Sequence, residues 1–539
     1  MLYERFIEEY KKNPAPFKFN FAQDIIDKRA KETPERLAMI WLNDRGLERR
    51  FTYEFFSEES NRYANTFRAY GIERGDVVLV MLPRRPEWWV IVLALMKLGA
   101  IALPVSVQVQ DRDLVYRCAL AKVKAVVTEK NLIGNFETVR SEINSKLFFS
   151  VDGFLPGWHD LGPEILKADT VLLNPAETTT ADPMILYFTS GTSGYAKMVR
   201  HDYLYSFGHL GTAELWHKET ENCIQWTITD TGWAKLCWGS FIAQWMVGSV
   251  IFIYDYYAGQ FAGKDVLRIL EKYGITNFCA PPTVYRMMMQ DKENNYDLSK
   301  LRYATCAGEA MGEKDIKRWY EFSGIKLYEG YGQTETTLLL ANMPDFGQHP
   351  GSLGRPLPGV DVEIVDDDGK LLPTGEQGNI AVDISGAWPP GVFRGYLNEK
   401  ELNDLVFHHG WYFTRDLGVK DEDGFIWFKG RSDDVFKSSD HRISPYEVEK
   451  VVLEHEAVAD CIVIGVPDKL RGSVAKAFIQ LKDGYEGSFL LMKDIQSFVR
   501  KRTTSYMYPR RIEFVTDLPK TINGKKRSEE LRRRERQNV

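Results

Sequence analysis

What most limits the fold of this 539-residue chain is the regular exchange, from Leu37 onward, of strand-like and helix-like segments. "LAMIWLN" (Leu37 to Asn43) is a short β-prone apolar run, and "TYEFFSEESNRYANTFRAYGI" then places apolar residues at helical spacing and stops at Gly71. "DVVLVML" follows, then "PEWWVIVLALMKLGA", opened by Pro86 and closed by Gly99, then the short run "AIALPV". Such alternation predicts a parallel sheet covered by helices on both faces, and the pattern repeats from about Asp182 to Glu329. From Leu236 to Tyr254 there are 19 residues without a charge, enough in length to cross a bilayer. Gly239, Ser240, Gln244, Gly248 and Ser249, with the β-branched and aromatic ending "VIFIY", predict instead a buried helix running into a buried strand.

Between Gly351 and Gly430 the texture changes to short strands separated by Gly, Pro and Asp turns, which predicts a small β-rich, barrel-like region. After "GRSDD" it changes again: Ser444, Pro445 and Glu447 form a capping box that starts a helix. "CIVIGV", "AKAFIQL", a helix near Ile495 to Arg502 and "RIEFV" complete a separate small α/β domain. The expected fold class is therefore α/β. A large N-terminal domain (1–432) of two helix-covered, mainly parallel sheets plus the β-rich region is followed by a small C-terminal α/β domain (433–539).

Composition narrows the function classes. A hydrophobic fraction of 44% supports several large cores, and a formal charge of −6 leaves no chain-wide footprint for nucleic acid. The basic run "KKRSEELRRRER" mixes signs and reads as a solvated helix face. Six cysteines stand far apart with no CxxC pair, as in a reduced, cytoplasmic protein. The N-terminal "MLYERFIEEYKKN" is acidic and amphipathic, unlike a signal or transit peptide. Oligomeric state is not set by these features.

The densest chemical signal is "YFTSGTSGYAKMVR" (Tyr187 to Arg200), in which Ser, Thr and Gly between an apolar lead-in and a lysine offer hydroxyls and open backbone N–H groups. Phosphate oxygens need such donors, although the spacing is not that of a Walker A loop, and alone the stretch fits a phosphate cradle or a flexible turn equally. Four further segments follow in order: "EGYGQTET" (Glu329 to Thr336), "GWYFTRDLGVKDEDGF", "GRSDDVFKSSDHRISPYEVE" and "LPKTINGKKR". Together these motifs, spread over some 340 residues, resemble the adenylate-forming superfamily of acyl-CoA synthetases, luciferase and peptide-synthetase adenylation domains. Through "TDTGW" (Thr229 to Trp233), "APPTVYRMM" and "YGQTET" the resemblance is closest to the medium-chain acyl-CoA synthetases of fatty acid metabolism.

The resemblance implies an AMP-forming carboxylate–CoA ligase whose partners are a small carboxylic acid, ATP with Mg²⁺, and coenzyme A. It assigns the β- and γ-phosphates to Thr189, Ser190, Gly191, Thr192, Ser193, Gly194 and Lys197, the α-phosphate to Thr334 and Mg²⁺ to Glu335. Adenine stacks near Tyr331, with Gly308, Glu309, Ala310 and Gly330 as the slot's backbone edge, and Glu329, Gly332 and Gln333 of the same motif also fall to the nucleotide. Asp416 and Arg431 match the ribose contacts; in isolation they read as a surface salt bridge. Lys525 matches a catalytic lysine on a mobile C-terminal domain, and Asp433 matches its hinge. Looser matches place CoA beside Ser439, Asp440, His441, Arg442, Arg471, Arg500 and Tyr508.

The acyl pocket is expected around Trp233, Lys235 and Trp238, with Gly308, Tyr331 and Gly332. Trp238 either shortens that pocket towards short, branched, cyclic or aromatic acids or packs in the core; Lys235 either meets a carboxylate or snorkels outward. Three positions depart from the family pattern: Arg415 replaces the glycine of "TGD", Asp440 that of "SG-x-R", and Ala196 stands where proline is frequent. Arg415 and Asp440 are expected to pair. Two other readings remain at this level: an adenylation enzyme loading a carrier protein in trans, and a non-catalytic nucleotide-binding protein.

Overall fold

The computed structural model describes residues 1–189, 196–256, 262–291, 295–309, 311–438, 441–468, 471–503, 507–520 and 526–537. They divide into two compact units. Among these residues the first comprises 1–189, 196–361 and 384–404; the second comprises 362–383 and 405–537.

The first unit holds two large sheets. One has seven strands in the order His159–Asp160, Leu147–Ser150, Ala125–Thr128, Val77–Met81, Ile101–Pro104, Pro183–Thr189, Lys197–Asp202. All neighbours are parallel except the last pair, an antiparallel hairpin in which Thr189 faces Lys197. The other has nine strands, with a parallel centre (Leu37–Asn43, Val250–Asp255, Ile224–Thr227, Asn277–Ala280, Tyr303–Ala307, Leu327–Gly332) and antiparallel edges. The expectation of two helix-covered, mainly parallel sheets is met.

Local chemistry explains the elements. The helix Glu87–Leu98 is buried along its length, begins after Pro86 and ends at Gly99, whose φ of +66° suits a left-handed cap that glycine adopts without strain. Its one buried cation, Lys97, is satisfied by Asp27 at 2.6 Å, Asn61 at 2.7 Å and the Ser57 carbonyl at 3.1 Å. The uncharged stretch folds as two short helices, Lys235–Gly239 and Ile242–Val247, and then the strand Val250–Asp255, so its helix is broken at Ser240. Among the described residues no helix is long and apolar enough to cross a membrane.

The second unit contains a five-stranded antiparallel sheet in which Trp411–Lys420 pairs with Gln377–Asp383, Phe407–His408 and Ile426–Arg431. It also holds a three-stranded sheet (Val458–Asp468, Gly472–Leu481, Arg511–Phe514) with the helices Pro445–Val452, Phe489–Arg502 and Ser528–Gln537. The helix expected at Ser444 is present, but the capping box is not. Ser444 donates its hydroxyl to the Lys429 carbonyl at 2.8 Å, tying the helix start to the Ile426–Arg431 strand instead of capping its own N–H groups.

Candidate active site

In the first unit the motif "EGYGQTET" begins in the Leu327–Gly332 strand, third from one edge of the nine-stranded sheet. Its glycines are set by close approach. A Cβ on Gly330 would lie 2.6 Å from the Trp216 ring, and one on Gly332 would lie 2.4 Å from both the Thr337 carbonyl and the Trp238 indole. Tyr331 lies half-buried between them. Glu329 is buried and accepts from the backbone N–H groups of Met311 and Gly351, both at 2.9 Å. Burial pushes its carboxyl up to about 7. In this structure Glu329 holds two loops.

Beyond the strand, the Gln333 N–H donates to Thr336 Oγ1 at 3.0 Å. The Thr334 carbonyl accepts from His201 Nε2 at 2.7 Å, which fixes the ring as the Nε2–H tautomer, and burial pushes the imidazole down to about 4. Glu335, only 8% exposed, accepts at Oε1 from the Tyr396 hydroxyl at 2.6 Å. Lys197 opens the Lys197–Asp202 strand of the seven-stranded sheet, and its Nζ lies 5.7 Å from the centre of the same tyrosine ring. Lys197 and Glu335 are thus brought to one residue. Among the described residues only Oε1 of this buried carboxylate is engaged by a side chain, and a carboxylate suits a hard cation that prefers oxygen donors, so the residues present fit Mg²⁺.

Gly308 has a φ of +105° at the end of the Tyr303–Ala307 strand, beside half-buried Glu309. Lys235 reaches the carbonyl of Ala307 at 2.8 Å, a backbone partner that neither of its expected readings named. Trp238 is buried, and its carbonyl accepts from Gln244, which also donates to Glu219 at 2.7 Å. Trp233 is 37% exposed. Among the described residues, the nearby helical residues His209 (both ring nitrogens) and Thr212 (Oγ1) carry buried polar atoms without a hydrogen-bond partner.

In the second unit Asp416 and Arg431 face each other across the hairpin, 3.5 Å apart, with Asp416 4% exposed. Arg431 also meets Asp433 at 3.1 Å. Arg415 has a φ of +64°, a conformation that costs a non-glycine residue about 1–2 kcal/mol, which explains why glycine is usual at this position. Ser432 holds it there, donating from its N–H (2.9 Å) and hydroxyl (3.1 Å) to the Arg415 carbonyl. Its guanidinium pairs with Asp433 at 3.2 Å; Asp440, its expected partner, lies outside the described residues.

Of the CoA candidates, the Arg500 guanidinium lies 5.7 Å from the Tyr508 ring, and Arg510, which sequence reasoning missed, donates to the Tyr508 hydroxyl at 3.0 Å. Arg471 is exposed just before the Gly472–Leu481 strand. His441 is exposed on a short strand that also contains Arg442. Lys526, which the sequence suggests is solvated, is half-buried against Glu449 and Asp460, each at 3.2 Å. Ser190, Gly191, Thr192, Ser193, Gly194, Ala310, Ser439, Asp440 and Lys525 lie outside the described residues. Tyr396 and His201 are the other residues missed: their partners are 61 and 133 positions away, and nothing in "FRGYLN" or "VRHDY" signals them.

The model of the AMP-binding enzyme family matches residues 26–397, and that of the AMP-binding enzyme C-terminal domain matches 447–525. The human protein "Acyl-coenzyme A synthetase ACSM3, mitochondrial" is 37% identical over 99% of this chain and 92% of its own. The human "Acyl-coenzyme A synthetase ACSM5, mitochondrial" is 37% identical over 96% and 91%. Among solved structures, the anthranilate CoA ligase AuaEII in complex with anthranoyl-AMP superposes with a TM-score of 0.85 at 27% identity, covering 97% of this chain and 98% of that one. A benzoate CoA ligase from Burkholderia xenovorans LB400 gives 0.81 at 25% identity, covering 95% and 100%. The chain belongs to the AMP-binding enzyme family. Within it, it is an AMP-forming acid–CoA ligase of the acyl-CoA synthetase kind, acting on a carboxylic acid, ATP and CoA. Acyl-CoA synthetases of this family use ATP, CoA and Mg²⁺.

Proposed function

We propose the following division of labour in the two half-reactions. In the first, a carboxylate oxygen of the acid attacks the α-phosphorus, the bond to the β-phosphate oxygen breaks, and acyl-AMP and pyrophosphate form. In the second, the deprotonated CoA sulfur attacks the acyl carbonyl carbon, the bond to the AMP oxygen breaks, and acyl-CoA and AMP leave. Negative charge crowds the first step, so positioning and positive charge supply the catalysis. Thr189 to Gly194 and Lys197 hold the leaving phosphates, Thr334 the α-phosphate, and Glu335 a Mg²⁺ ligand position. The metal, when bound, neutralises phosphate charge. Gly308, Glu309, Ala310, Gly330 and Tyr331 surround adenine; Asp416 accepts from the ribose hydroxyls beside Arg431. Lys525 donates to the carboxylate and α-phosphate oxygens, and residues 433–539 turn about Asp433 between the half-reactions. Ser439, Asp440, His441, Arg442, Arg471, Arg500 and Tyr508 serve CoA.

The observation that carries this reading is that Lys197, on the phosphate-loop hairpin, and Glu335, in the "YGQTET" motif, both meet Tyr396. Carboxylate-dependent exchange of labelled pyrophosphate into ATP tests it: Lys525→Ala is expected to slow exchange by about 10²–10³-fold while thioester formation from pre-made acyl-AMP survives. Near-normal exchange in that variant would sink the assignment.

For the acid, the indole of Trp238 occupies the space beside Gly332, which favours a short, branched or ring-bearing acid over a long straight chain. Each excluded methylene is worth about 1–3 kcal/mol, so the preference is graded. A panel of short, branched, aromatic and medium-chain acids, assayed for AMP formation with CoA, ranks them; Trp238→Ala should extend acceptance towards longer chains. Acyl transfer to a carrier protein in place of CoA would favour the loading-enzyme reading. We place the enzyme in the cytoplasm, where its six buried free cysteines stay reduced. The mitochondrial names of its relatives make the mitochondrion the competing location, which cell fractionation separates.

A further inference from the structure

Tyr396 is held on three sides by elements that converge on the Glu335 carboxylate. Residues 391–397 run back along the Lys197–Asp202 strand: Val199 bridges Tyr396, the Leu397 N–H donates to the Met198 carbonyl at 3.0 Å, and the Arg394 N–H donates to that of Arg200 at 3.3 Å. The same segment grips the motif that bears Glu335. The Phe393 N–H donates to the Glu335 carbonyl at 2.8 Å and the Thr337 N–H to that of Gly391 at 3.0 Å. Gly391, at a φ of +94°, permits this approach, because a Cβ there would sit 2.2 Å from Thr337 Oγ1. Asn403 clamps the tyrosine backbone, accepting from its N–H at 2.7 Å and donating to its carbonyl at 2.8 Å. Both Tyr396 (5% exposed) and Glu335 (8%) are buried residues, so water competes little for the 2.6 Å bond between their side chains.

Glutamate loses rotamer freedom when it is fixed, and a ligand that must choose among rotamers binds a metal more weakly than one already aimed. A short O–H···O⁻ bond at one oxygen fixes the terminal torsion and dedicates the other oxygen to a ligand. The phenol ring is at the same time the surface against which the Lys197 ammonium rests. We propose that Tyr396 is a positioning residue for adenylation: its hydroxyl presets Glu335 for Mg²⁺, and its ring sets the placement of Lys197. This rests on the reading of Glu335 as a metal ligand position.

Tyr396→Phe keeps the ring and removes only the hydroxyl. Binding of Mn²⁺ to the complex with a non-hydrolysable ATP analogue, followed by electron paramagnetic resonance, should weaken by about 10–100-fold, the range for losing a hydrogen bond that orients a metal ligand. Pyrophosphate exchange should fall at low Mg²⁺ and recover at saturating Mg²⁺, a rescue that a general loss of structure would not allow. Glu335→Gln, measured in parallel, separates the two claims. Unchanged Mn²⁺ affinity in Tyr396→Phe with weakened affinity in Glu335→Gln overturns the tyrosine's role and keeps the ligand reading; unchanged affinity in both overturns the ligand reading and the proposal with it. Should Tyr396→Phe not fold, Asn403→Ala, which keeps the hydroxyl but loosens its backbone clamp, is expected to weaken Mn²⁺ binding by about 10-fold, the low end for outer-shell losses; no change there overturns the proposal.

Discussion

Two buried carboxylates, Glu335 in the first unit and Asp416 in the second, are held by opposite means. Glu335 is fixed by a neutral donor, the Tyr396 hydroxyl, and by backbone bonds from a returning segment. Asp416 sits in a chain of charges, Asp416–Arg431–Asp433–Arg415, that ends on a residue in a left-handed backbone conformation. A neutral partner leaves the full negative charge of Glu335 available to a cation. The charged chain of the hairpin leaves Asp416 as a hydrogen-bond acceptor beside a cation, which suits uncharged hydroxyls, and it couples that acceptor to Asp433, the proposed hinge.

The largest test of this contrast is charge removal at each acid. Glu335→Gln should lower the adenylation rate by about 10²–10³-fold, comparable to losing a preorganised electrostatic contact, and no increase in ATP concentration should restore it. Next is the pH response of the neutral surroundings. The folded pKa of His201 is lowered from 6.5 to about 4, so the unfolded chain binds the extra proton first as pH falls. Stability from this group is therefore full above pH 6.5 and is lost between about 6.5 and 4, by about 3 kcal/mol at 1.36 kcal/mol per pKa unit. Urea unfolding of His201→Gln, which can still donate to the Thr334 carbonyl, should show a flatter acid limb over that range; an unchanged limb would refute the buried neutral ring.

Smaller is Asp416→Asn. Weakening charge-assisted bonds to the ribose, worth about 1.5–3 kcal/mol, should raise KM for ATP about 10–100-fold with a lesser effect on kcat. A fall in kcat alone would mean that Asp416 acts on the chemistry and not on nucleotide binding. The smallest is the backbone strain at Arg415. Both Arg415→Gly and Arg415→Ala lose the pair to Asp433, but only glycine suits the φ of +64°, so the alanine variant should be less stable than the glycine variant by about 1 kcal/mol. Equal stabilities in thermal unfolding would show that the position is unstrained in solution.

Much of this was legible in the sequence. Apolar spacing placed the Tyr53–Ala69 and Glu87–Leu98 helices and the strands between them, because a 3.6-residue or a 2-residue repeat is a local property of the chain. The motif residues were legible as types, and Asp416 and Arg431 do face each other, since a hairpin joins residues close in sequence. The capping box failed because Ser444 had a better partner on another strand, the Lys429 carbonyl, which no local pattern reveals. Lys526 failed likewise: Glu449 and Asp460 come from elements far from it along the chain.

The sequence by itself determined the alternating strand and helix plan, the family, and the residue types offered to ATP, because periodicity and ordered motifs are written along the chain. Only the tertiary structure decided which side chains orient those residues. That His201 takes the Thr334 carbonyl, and that Tyr396 joins Lys197 to Glu335, follow from the register of strands and segments paired across 60 to 200 residues. That register is set by the packing of whole sheets and not by any local spacing.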